Sequence, residues 1–345
     1  MRKYIYNIIT GTPKEPLGFL IKILLILLSF LYYIAISLRR FLYKKGVFLS
    51  KELDSPVVSI GNITWGGTGK TPLSDKICKY LKASNRKPAL LIRGYGSDED
   101  RLHVLNLNDI PVATGKDRYS NALRLKQEQG SDIFILDDGV QHLNLARKVD
   151  IVTINANNPF GNNFLIPAGI LREPLSSLSR ADIAVITKSD TVEKDTLLFI
   201  KSKILKANNS ISIYEAVHSP VSLIDTSGNV VDLEYIRNKK ICALSGLGDN
   251  NSFLSTLKNL RASIGLEALY MDHHNYLESD LSNIIANAKK ENISTIVTTQ
   301  KDWVKIEELY NKIDSPGIDF FVLKIEIKIK DEEDFLHRLH TLLSC

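Results

Sequence analysis

The sequence predicts an α/β fold: a P-loop NTPase-type core with a largely parallel sheet, a second smaller α/β domain and an N-terminal membrane helix. Three observations support this prediction. Short apolar segments alternate with helical patterns from Pro56 onward, which is typical of α/β units around a parallel sheet. A glycine-rich turn ending in Gly69-Lys70-Thr71 follows the first apolar segment. A long apolar stretch precedes both.

Composition sets broad limits. The chain has 345 residues, of which 44% are hydrophobic and 24% charged, and this balance excludes a disordered or fibrous protein. The three cysteines, Cys78, Cys242 and Cys345, are too far apart in sequence for a metal motif and indicate a reducing compartment rather than a disulfide framework.

Residues 1–50 are predicted to form a basic segment with a membrane-anchoring helix. Residues 1–51 contain nine basic residues and one acidic residue, Glu15, so the net charge of +5 originates there. The stretch from Phe19 to Leu38 is apolar around the whole helix circumference and about 30 Å long, close to one hydrocarbon thickness. A buried core helix is the alternative, and the choice between spanning the bilayer and lying in one leaflet stays open. Residues typical of membrane-interface anchors lie in the C-terminal part of this stretch or follow it: Tyr32, Tyr33, Arg39, Arg40, Lys44 and Lys45.

Residues 51–209 are predicted to form the core and 210–345 the second domain. The predicted core strands are Val57–Ile60, Ala89–Ile92, Ile133–Leu136, Asp150–Ile154 and Ile183–Thr187. The predicted core helices are Pro72–Ala83, Asp117–Gln129 and Thr191–Ala207. After a connector over 208–224, the predicted strands are Ile241–Leu244, Ala268–Met271, Thr295–Thr298 and Phe320–Ile327. The predicted helices of this domain are Asn251–Ile264, Ser279–Lys290, Trp303–Lys312 and Glu332–Leu343.

The glycine-rich turn has the features of a nucleoside triphosphate site. Glycines let backbone N–H groups converge on phosphate oxygens, Lys70 supplies a positive charge, and the Thr71 hydroxyl is suited to Mg²⁺. The first position of the motif is Thr64, where glycine is usual, and a surface turn without a ligand is the alternative. The predicted ATP-binding residues are Thr64, Trp65, Gly66, Gly67, Thr68, Gly69, Lys70 and Thr71.

A second motif is the apolar strand that ends in Asp137-Asp138-Gly139. Mg²⁺ prefers oxygen ligands, and a carboxylate at a strand end beside the P-loop supplies one. Alone, this motif is equally compatible with an exposed turn. Together with the P-loop, it predicts a metal site formed by Thr71, Asp137 and Asp138.

Further polar loops follow other predicted strands, where ligands bind in open α/β sheets. Arginine in such loops is suited to phosphate recognition, and one histidine beside Asp272 is suited to assisting a base. Ordinary turns and a solvated Arg-Glu pair are the alternatives. The loops are Arg93-Gly94-Tyr95-Gly96-Ser97-Asp98-Glu99, Gln141-His142, Arg172-Glu173-Pro174 and Asp272-His273-His274.

Thr187-Lys188-Ser189-Asp190 is similar to the Asn-Lys-x-Asp element by which GTPases select guanine, and Thr299-Gln300-Lys301-Asp302 partly repeats it. A GTPase-like switch or metal chaperone is therefore a competing hypothesis. A non-catalytic membrane scaffold is a third, weakened because Lys70 and Thr71 are intact.

Taken together, these motifs resemble the tetraacyldisaccharide 4′-kinase (lipid A 4′-kinase) family of Gram-negative bacteria over nearly the whole chain. The segments that carry the resemblance, besides the basic apolar helix, are residues 61–72, 93–96, 115–118, 137–142, 171–174, 272–274 and 298–302.

The resemblance implies transfer of the ATP γ-phosphate to the 4′-hydroxyl of tetraacyldisaccharide 1-phosphate in lipid A biosynthesis. It implies that Lys70 and Thr71 hold phosphate and Mg²⁺, that Asp137 and Asp138 serve the metal, and that Asp98 paired with His273 is the base for the sugar hydroxyl. The loop after Gly96 is shorter here than is usual in the family, which bears on the register of Asp98. The remaining expected active-site residues are Arg93, Tyr95, Arg118, Gln141, His142, Arg172, Glu173 and Asp272.

The implied ligands are ATP, Mg²⁺ and a lipid A precursor, and the implied location is the cytoplasmic face of the inner membrane. No nucleic acid and no obligate protein partner is expected. A tetraacylated substrate stays in the bilayer, because burial of each CH₂ is worth about 0.8 kcal/mol. A cationic, apolar N-terminus would bring an enzyme to that substrate.

Overall fold

The computed structural model describes residues 16–94, 98–272, 274–313 and 317–344, without the side chains of Pro16, Asp98 and Glu99. The helices are α1 Pro16–Lys44, α2 Lys70–Ala83, α3 Asp98–Leu107, α4 Arg118–Gln129, α5 Lys194–Ala207, α6 Asn250–Asn259, α7 Glu278–Lys290, α8 Gln300–Tyr310 and α9 Glu332–Ser344. The strands are β1 Val57–Asn62, β2 Pro88–Ile92, β3 Val112–Thr114, β4 Ile133–Asp137, β5 Val149–Asn155, β6 Ile183–Thr187, β7 Ser212–Asp225, β8 Val230–Val231, β9 Lys240–Ser245, β10 Ser263–Leu269, β11 Thr295–Thr299 and β12 Asp319–Ile329.

The described residues form two compact units. Unit 1 takes its residues from 1–94, 107–217 and 327–345, and unit 2 from 95–106 and 218–326. This division differs from the predicted boundary at 209/210, because the last part of β12 and α9 belong to unit 1. The reason is packing: Ile327, Phe335 and Leu339 lie in the same hydrophobic cluster as Ile60 of β1.

Unit 1 contains a parallel sheet in the order β7-β6-β5-β1-β4-β2-β3. Its central strands are buried along their whole length, so they read as continuous apolar segments. Strand β1 lies between β4 and β5, and Ile60 pairs with Asp137. The loops that follow β1 and β4 therefore begin at the same edge of the sheet. The predicted parallel α/β core is confirmed.

Unit 2 is a smaller α/β unit. Strands β10, β9, β11 and β12 are parallel neighbours in that order, and β8 pairs antiparallel with the end of β7. Leu281 and Ile284 of α7 pack with Ile296 and Phe320 of the sheet. The predicted second α/β domain is thus present.

Several elements differ from the sequence prediction: strands β3 and β8 were not predicted, and three further differences concern larger segments. The predicted connector over 208–224 contains strand β7, whose mixed polar sequence conceals the β pattern. Helix α3 begins within the segment predicted as a loop, and strand β10 ends at Leu269, where a strand over Ala268–Met271 was predicted. For the two strands, pairing with β6 and β9 overrides a weak local signal.

Helix α1 is long and apolar enough to cross a membrane by length and composition: an 18-residue window within residues 17–44 has a mean hydropathy of 2.5. Its large apolar side chains are mostly exposed, among them Phe19 at 59% and Leu31 at 61%, which argues against a buried core helix. One face is covered, since Ser29 and Ile36 are buried. The helix therefore has one face on the protein and a broad apolar face outside.

Candidate active site

The P-loop connects the end of β1 to the start of α2. Gly66 and Gly69 have φ values of 114° and 77°, a region in which side chains are strained. Gly69 is the N-cap of α2, so Lys70 and Thr71 occupy its first turn. A helix N-terminus with converging N–H groups is a ready phosphate site. This local geometry fits the predicted nucleotide role.

Hydrogen bonds from neighbouring strands hold the loop in place. The Asn62 side chain donates to Thr68 Oγ1 at 2.9 Å, Thr187 Oγ1 donates to the Thr68 carbonyl at 3.0 Å, and Asn155 Nδ2 donates to the Gly67 carbonyl at 3.1 Å. Thr68 is itself buried. The P-loop backbone is therefore pre-organised by β1, β5 and β6.

The unusual first position of the motif has a structural explanation. Thr64 is buried and forms an antiparallel bridge with Leu171, and the Trp65 N–H donates to the Ile170 carbonyl at 2.6 Å. A β-branched residue suits this extended, paired conformation, and glycine's freedom is not needed there. The 170–173 segment thus runs beside the P-loop.

The two adjacent carboxylates have different surroundings. Asp137 is only 6% exposed and accepts a hydrogen bond from Ser74 of α2 at 2.8 Å. Asp138 has a φ of 49°, and its Oδ1 lies 4.0 Å from Lys70 Nζ. The backbone turn at Asp138 therefore presents this carboxylate to the P-loop lysine, while Asp137 faces α2.

Arg172 connects Asp138 to β1. Its Nη1 and Nη2 donate to the two carboxylate oxygens of Asp138 at 2.7 and 3.0 Å, and Nη1 also donates to Asn62 Oδ1 at 3.2 Å. Gln141 Nε2 donates to the Asn62 carbonyl at 2.9 Å. Such bidentate charge-assisted bonds fix orientation as well as charge. These four side chains form one network beside the P-loop.

A cationic pocket of about 380 Å³ opens next to this network. It brings together six predicted residues and four others. The predicted ones are Arg93, Arg118, Asp138, Gln141 and Arg172 with His142, and the additional lining residues are Arg39, Tyr43, Lys116 and Asn144.

Charge in this pocket favours an anion. Burial, followed by the charges of Arg118 and other arginines, lowers the pKa of His142 to about 4, so its imidazole is neutral at pH 7. Arg118 is 2% exposed and its Nη2 donates to the Asp137 carbonyl at 2.7 Å. The cations therefore outnumber Asp138, and a phosphate or sugar-phosphate group is the matching ligand.

Glu173, the residue after Arg172, is buried and paired with Arg180. It is 2% exposed and accepts two hydrogen bonds from Arg180, at 2.7 and 2.8 Å. Burial alone would raise the pKa of Glu173, but the hydrogen bonds and charge of Arg180, with Ser177 and Arg40, hold the pKa below its usual value. Glu173 was predicted to line the active site, and in the structure it lies outside the pocket lining.

In unit 2, Asp302 organises the loop that contains Asp272. Asp302 is fully buried and accepts hydrogen bonds from Thr299 Oγ1 at 2.6 Å, Tyr276 OH at 3.0 Å and the Gly246 N–H at 3.0 Å. Lys301 Nζ donates to Asp272 at 2.9 Å. The 299–302 motif, which partly resembles a guanine-selecting element, thus has a structural role here.

Some predicted residues lie outside the described part of the chain. Tyr95 and His273 are not among the described residues, and neither is the side chain of Asp98 at the start of α3. The Asp98–His273 pairing therefore stays a prediction.

Sequence reasoning missed Arg39 as a pocket residue, because it interpreted this arginine as a membrane-interface anchor. Lys116 and Asn62 lie in motifs already noted at 115–118 and 61–72 but were given no role. The signal that could have identified them is their position: Asn62 is the last residue of β1, and Lys116 lies two residues after the end of β3.

The predicted metal ligands fit the requirements of Mg²⁺ in part. Thr71, Asp137 and Asp138 supply oxygen atoms around the first turn of α2, as hard cations require. In the described ranges no three His, Cys, Asp or Glu residues cluster as a metal site.

Comparison with known proteins gives consistent results. Residues 21–344 match the family described as tetraacyldisaccharide-1-P 4′-kinase. The tetraacyldisaccharide 4′-kinase of Halothermothrix orenii is 34% identical, with 97% of this chain and 96% of the relative covered. That of Syntrophus aciditrophicus is 34% identical, with 94% and 92% covered. The crystal structure of LpxK from Aquifex aeolicus in complex with ATP superposes with a TM-score of 0.74 at 26% identity, covering 94% of this chain and 99% of that chain.

Proposed function

Because the chain belongs to the tetraacyldisaccharide-1-phosphate 4′-kinase family, we propose that it transfers the γ-phosphate of ATP to the 4′-hydroxyl of a tetraacyldisaccharide 1-phosphate, a step in lipid A biosynthesis. The single observation that carries the proposal is that the P-loop lysine, the Asp138–Arg172 pair and the cationic pocket adjoin one another in unit 1.

The donor side of the reaction uses the P-loop. Backbone N–H groups of residues 66–71 and Lys70 would hold the β- and γ-phosphates, and Thr71, Asp137 and Asp138 would hold Mg²⁺. When bound, Mg²⁺ neutralises charge on the phosphates. Arg172 fixes the orientation of Asp138, so the carboxylate is already positioned before ATP arrives.

The acceptor side uses the cationic pocket. Its arginines and Lys116 would hold the phosphate-bearing sugar headgroup close to the γ-phosphate. Asp98, assisted by His273, would accept the proton of the attacking 4′-hydroxyl. Most of the rate enhancement is then expected from positioning and charge neutralisation.

Helix α1 would anchor the enzyme in the cytoplasmic leaflet of the inner membrane. From Ser29 to Arg39 the helix donates hydrogen bonds to the rest of unit 1. About 15 Å of α1 therefore lies on the protein, and the apolar stretch is not free along its whole length to cross the roughly 30 Å of a hydrocarbon core. We infer that α1 lies in one leaflet. The test attaches a fluorophore to Leu20→Cys and measures its depth by parallax quenching with lipids labelled at two depths. A fluorophore depth in the far leaflet would contradict the inference.

The function is tested by incubating the full chain with Mg-ATP and tetraacyldisaccharide 1-phosphate in detergent micelles and analysing the lipid by mass spectrometry. A 4′-phosphorylated product is expected, and Lys70→Ala is expected to abolish it; Lys87→Ala, an exposed lysine outside the P-loop, is the control. ATP hydrolysis without lipid phosphorylation contradicts the proposal. The GTPase-like alternative rests on the 187–190 element, whose Thr187 contacts the P-loop. A preference for GTP over ATP would favour it.

A further inference from the structure

The inner face of helix α1 is hydrogen-bonded to the rest of unit 1. Ser29 Oγ donates to the Leu165 carbonyl at 2.9 Å, the Tyr32 hydroxyl donates to the Arg172 carbonyl at 2.9 Å, and Arg39 Nη1 donates to the Gln141 carbonyl at 3.2 Å. Spacings of three and seven residues place these side chains on one face of the helix. The three contacts therefore lie along one face of the helix, with the buried Ile36 between Tyr32 and Arg39.

Two of these contacts end on segments that carry the active-site network. Arg172 holds Asp138 through both guanidinium nitrogens, and its own N–H donates to the Ile63 carbonyl at 2.7 Å. The Tyr32 hydroxyl is thus one of the groups that fix the backbone of Arg172. Tyr32 itself is not among the residues lining the cationic pocket.

Anchoring alone does not require this arrangement. A helix that only holds a protein in a bilayer needs an apolar outer face, which α1 has. Tyr33, the next residue, is 44% exposed on that outer face, as expected for a membrane-interface tyrosine. Tyr32 instead points inward and packs on the hydrophobic cluster that contains Ile63 and Leu171.

We propose that Tyr32 is a positioning residue for phosphoryl transfer: by holding the Arg172 carbonyl, it orients the Arg172 guanidinium on Asp138 beside the P-loop. This inference rests on the proposed function for its catalytic readout. Helix α1 is then a wall of the catalytic site as well as an anchor, and its two adjacent tyrosines have different tasks.

The test compares Tyr32→Phe with the matched control Tyr33→Phe in the full chain. Both variants lose one hydroxyl from adjacent positions, so they alter the apolar character of α1 equally. We measure kcat and KM for both substrates in detergent micelles, binding to phosphatidylethanolamine–phosphatidylglycerol vesicles by co-sedimentation, and the melting temperature. Tyr32→Phe is expected to lower kcat about tenfold, with KM for ATP and vesicle binding unchanged, because positioning acts on the transition state. Tyr33→Phe is expected to match the wild type.

A double-variant cycle identifies the path of the effect. In an Arg172→Lys background the guanidinium fork is already lost, so Tyr32→Phe is expected to lower kcat by less than about twofold further. A full tenfold further loss would overturn the inference, as would an unchanged kcat in folded Tyr32→Phe. A loss of activity that follows a loss of vesicle binding would assign Tyr32 to anchoring only and would also overturn it.

Hydrogen exchange supplies a readout without substrate. Peptides spanning residues 165–175 are expected to exchange faster in Tyr32→Phe than in Tyr33→Phe, because the Arg172 N–H bond to Ile63 is loosened. Unchanged exchange would overturn the inference. If the wild type failed to phosphorylate the lipid, the proposed function would fall, and this measurement would still decide whether Tyr32 fixes the Arg172 segment.

Discussion

Replacement of Arg172 tests the network beside the P-loop. Arg172 makes two charge-assisted hydrogen bonds to Asp138, at 2.7 and 3.0 Å, and both side chains are 23% exposed. Such bonds contribute about 1.5 to 3 kcal/mol each, and partial exposure favours the lower value. Loss of both in Arg172→Ala amounts to about 3 kcal/mol if the network acts in the transition state, or about a hundredfold in kcat.

Arg172→Lys separates charge from geometry. Lysine keeps the positive charge but cannot make the bidentate contact, so the expected loss is about 1.5 kcal/mol, or about tenfold in kcat. The assay is steady-state phosphorylation of the lipid in micelles with saturating Mg-ATP, with melting temperatures recorded for each variant. Arg124→Ala, which removes an exposed helical pair with Glu128, is the control and is expected to keep wild-type kcat. A folded Arg172→Ala protein with kcat within threefold of the wild type would refute the reasoning.

Three further outcomes are expected. Glu173→Gln removes the carboxylate that pairs with the half-buried Arg180, which keeps its bond to the Val140 carbonyl, and is expected to cost about 2 kcal/mol in the free energy of unfolding, measured by urea denaturation. Because the pKa of Glu173 is depressed in the folded protein, its stabilisation is present above the unfolded value near 4.5 and lost as pH falls through the folded pKa; acid denaturation at equal pH in both variants would contradict this. Gly61→Ala would place a Cβ 2.8 Å from Val140 Cγ2 and 2.9 Å from the Val140 nitrogen, so thermal unfolding is expected to show a loss of about 1 to 3 kcal/mol, and an unchanged melting temperature would argue against the close approach. Burial raises the pKa of the Cys242 thiol to about 12, so peptide mapping is expected to find it unalkylated in the native protein and labelled only after unfolding.

The sequence predicted the elements whose signal is local. Strand β1 with the P-loop, strand β4 with Asp137-Asp138, and the buried strands β5 and β6 were located within one or two residues, because buried parallel strands are continuous apolar runs bounded by polar turns. Strand β7 was missed since its residues alternate irregularly between partly buried and buried positions. Its pairing with β6 depends on a partner that local sequence does not reveal.

In the candidate site, too, motifs identified the residues and the structure gave their arrangement. Lys70, Thr71 and Asp138 were identified by motif, and the structure adds their relation: Asp138, with φ of 49°, faces Lys70, whereas Asp137 faces Ser74 of α2. Adjacent residues in a sequence give no indication of which one a turn presents to a ligand.

By itself, the sequence determined the chemistry of this protein: a phosphate-binding turn, carboxylates for a metal, basic loops and an apolar helix, in an order specific to one family. Only the tertiary structure decided that the same helix contributes Arg39 to the cationic pocket and that Tyr32 holds Arg172. It also decided that α9, the last helix of the chain, packs with β1. The physical reason is that motifs record short-range geometry, whereas these contacts join residues more than a hundred positions apart, where only packing and hydrogen bonding in the folded chain select the partner.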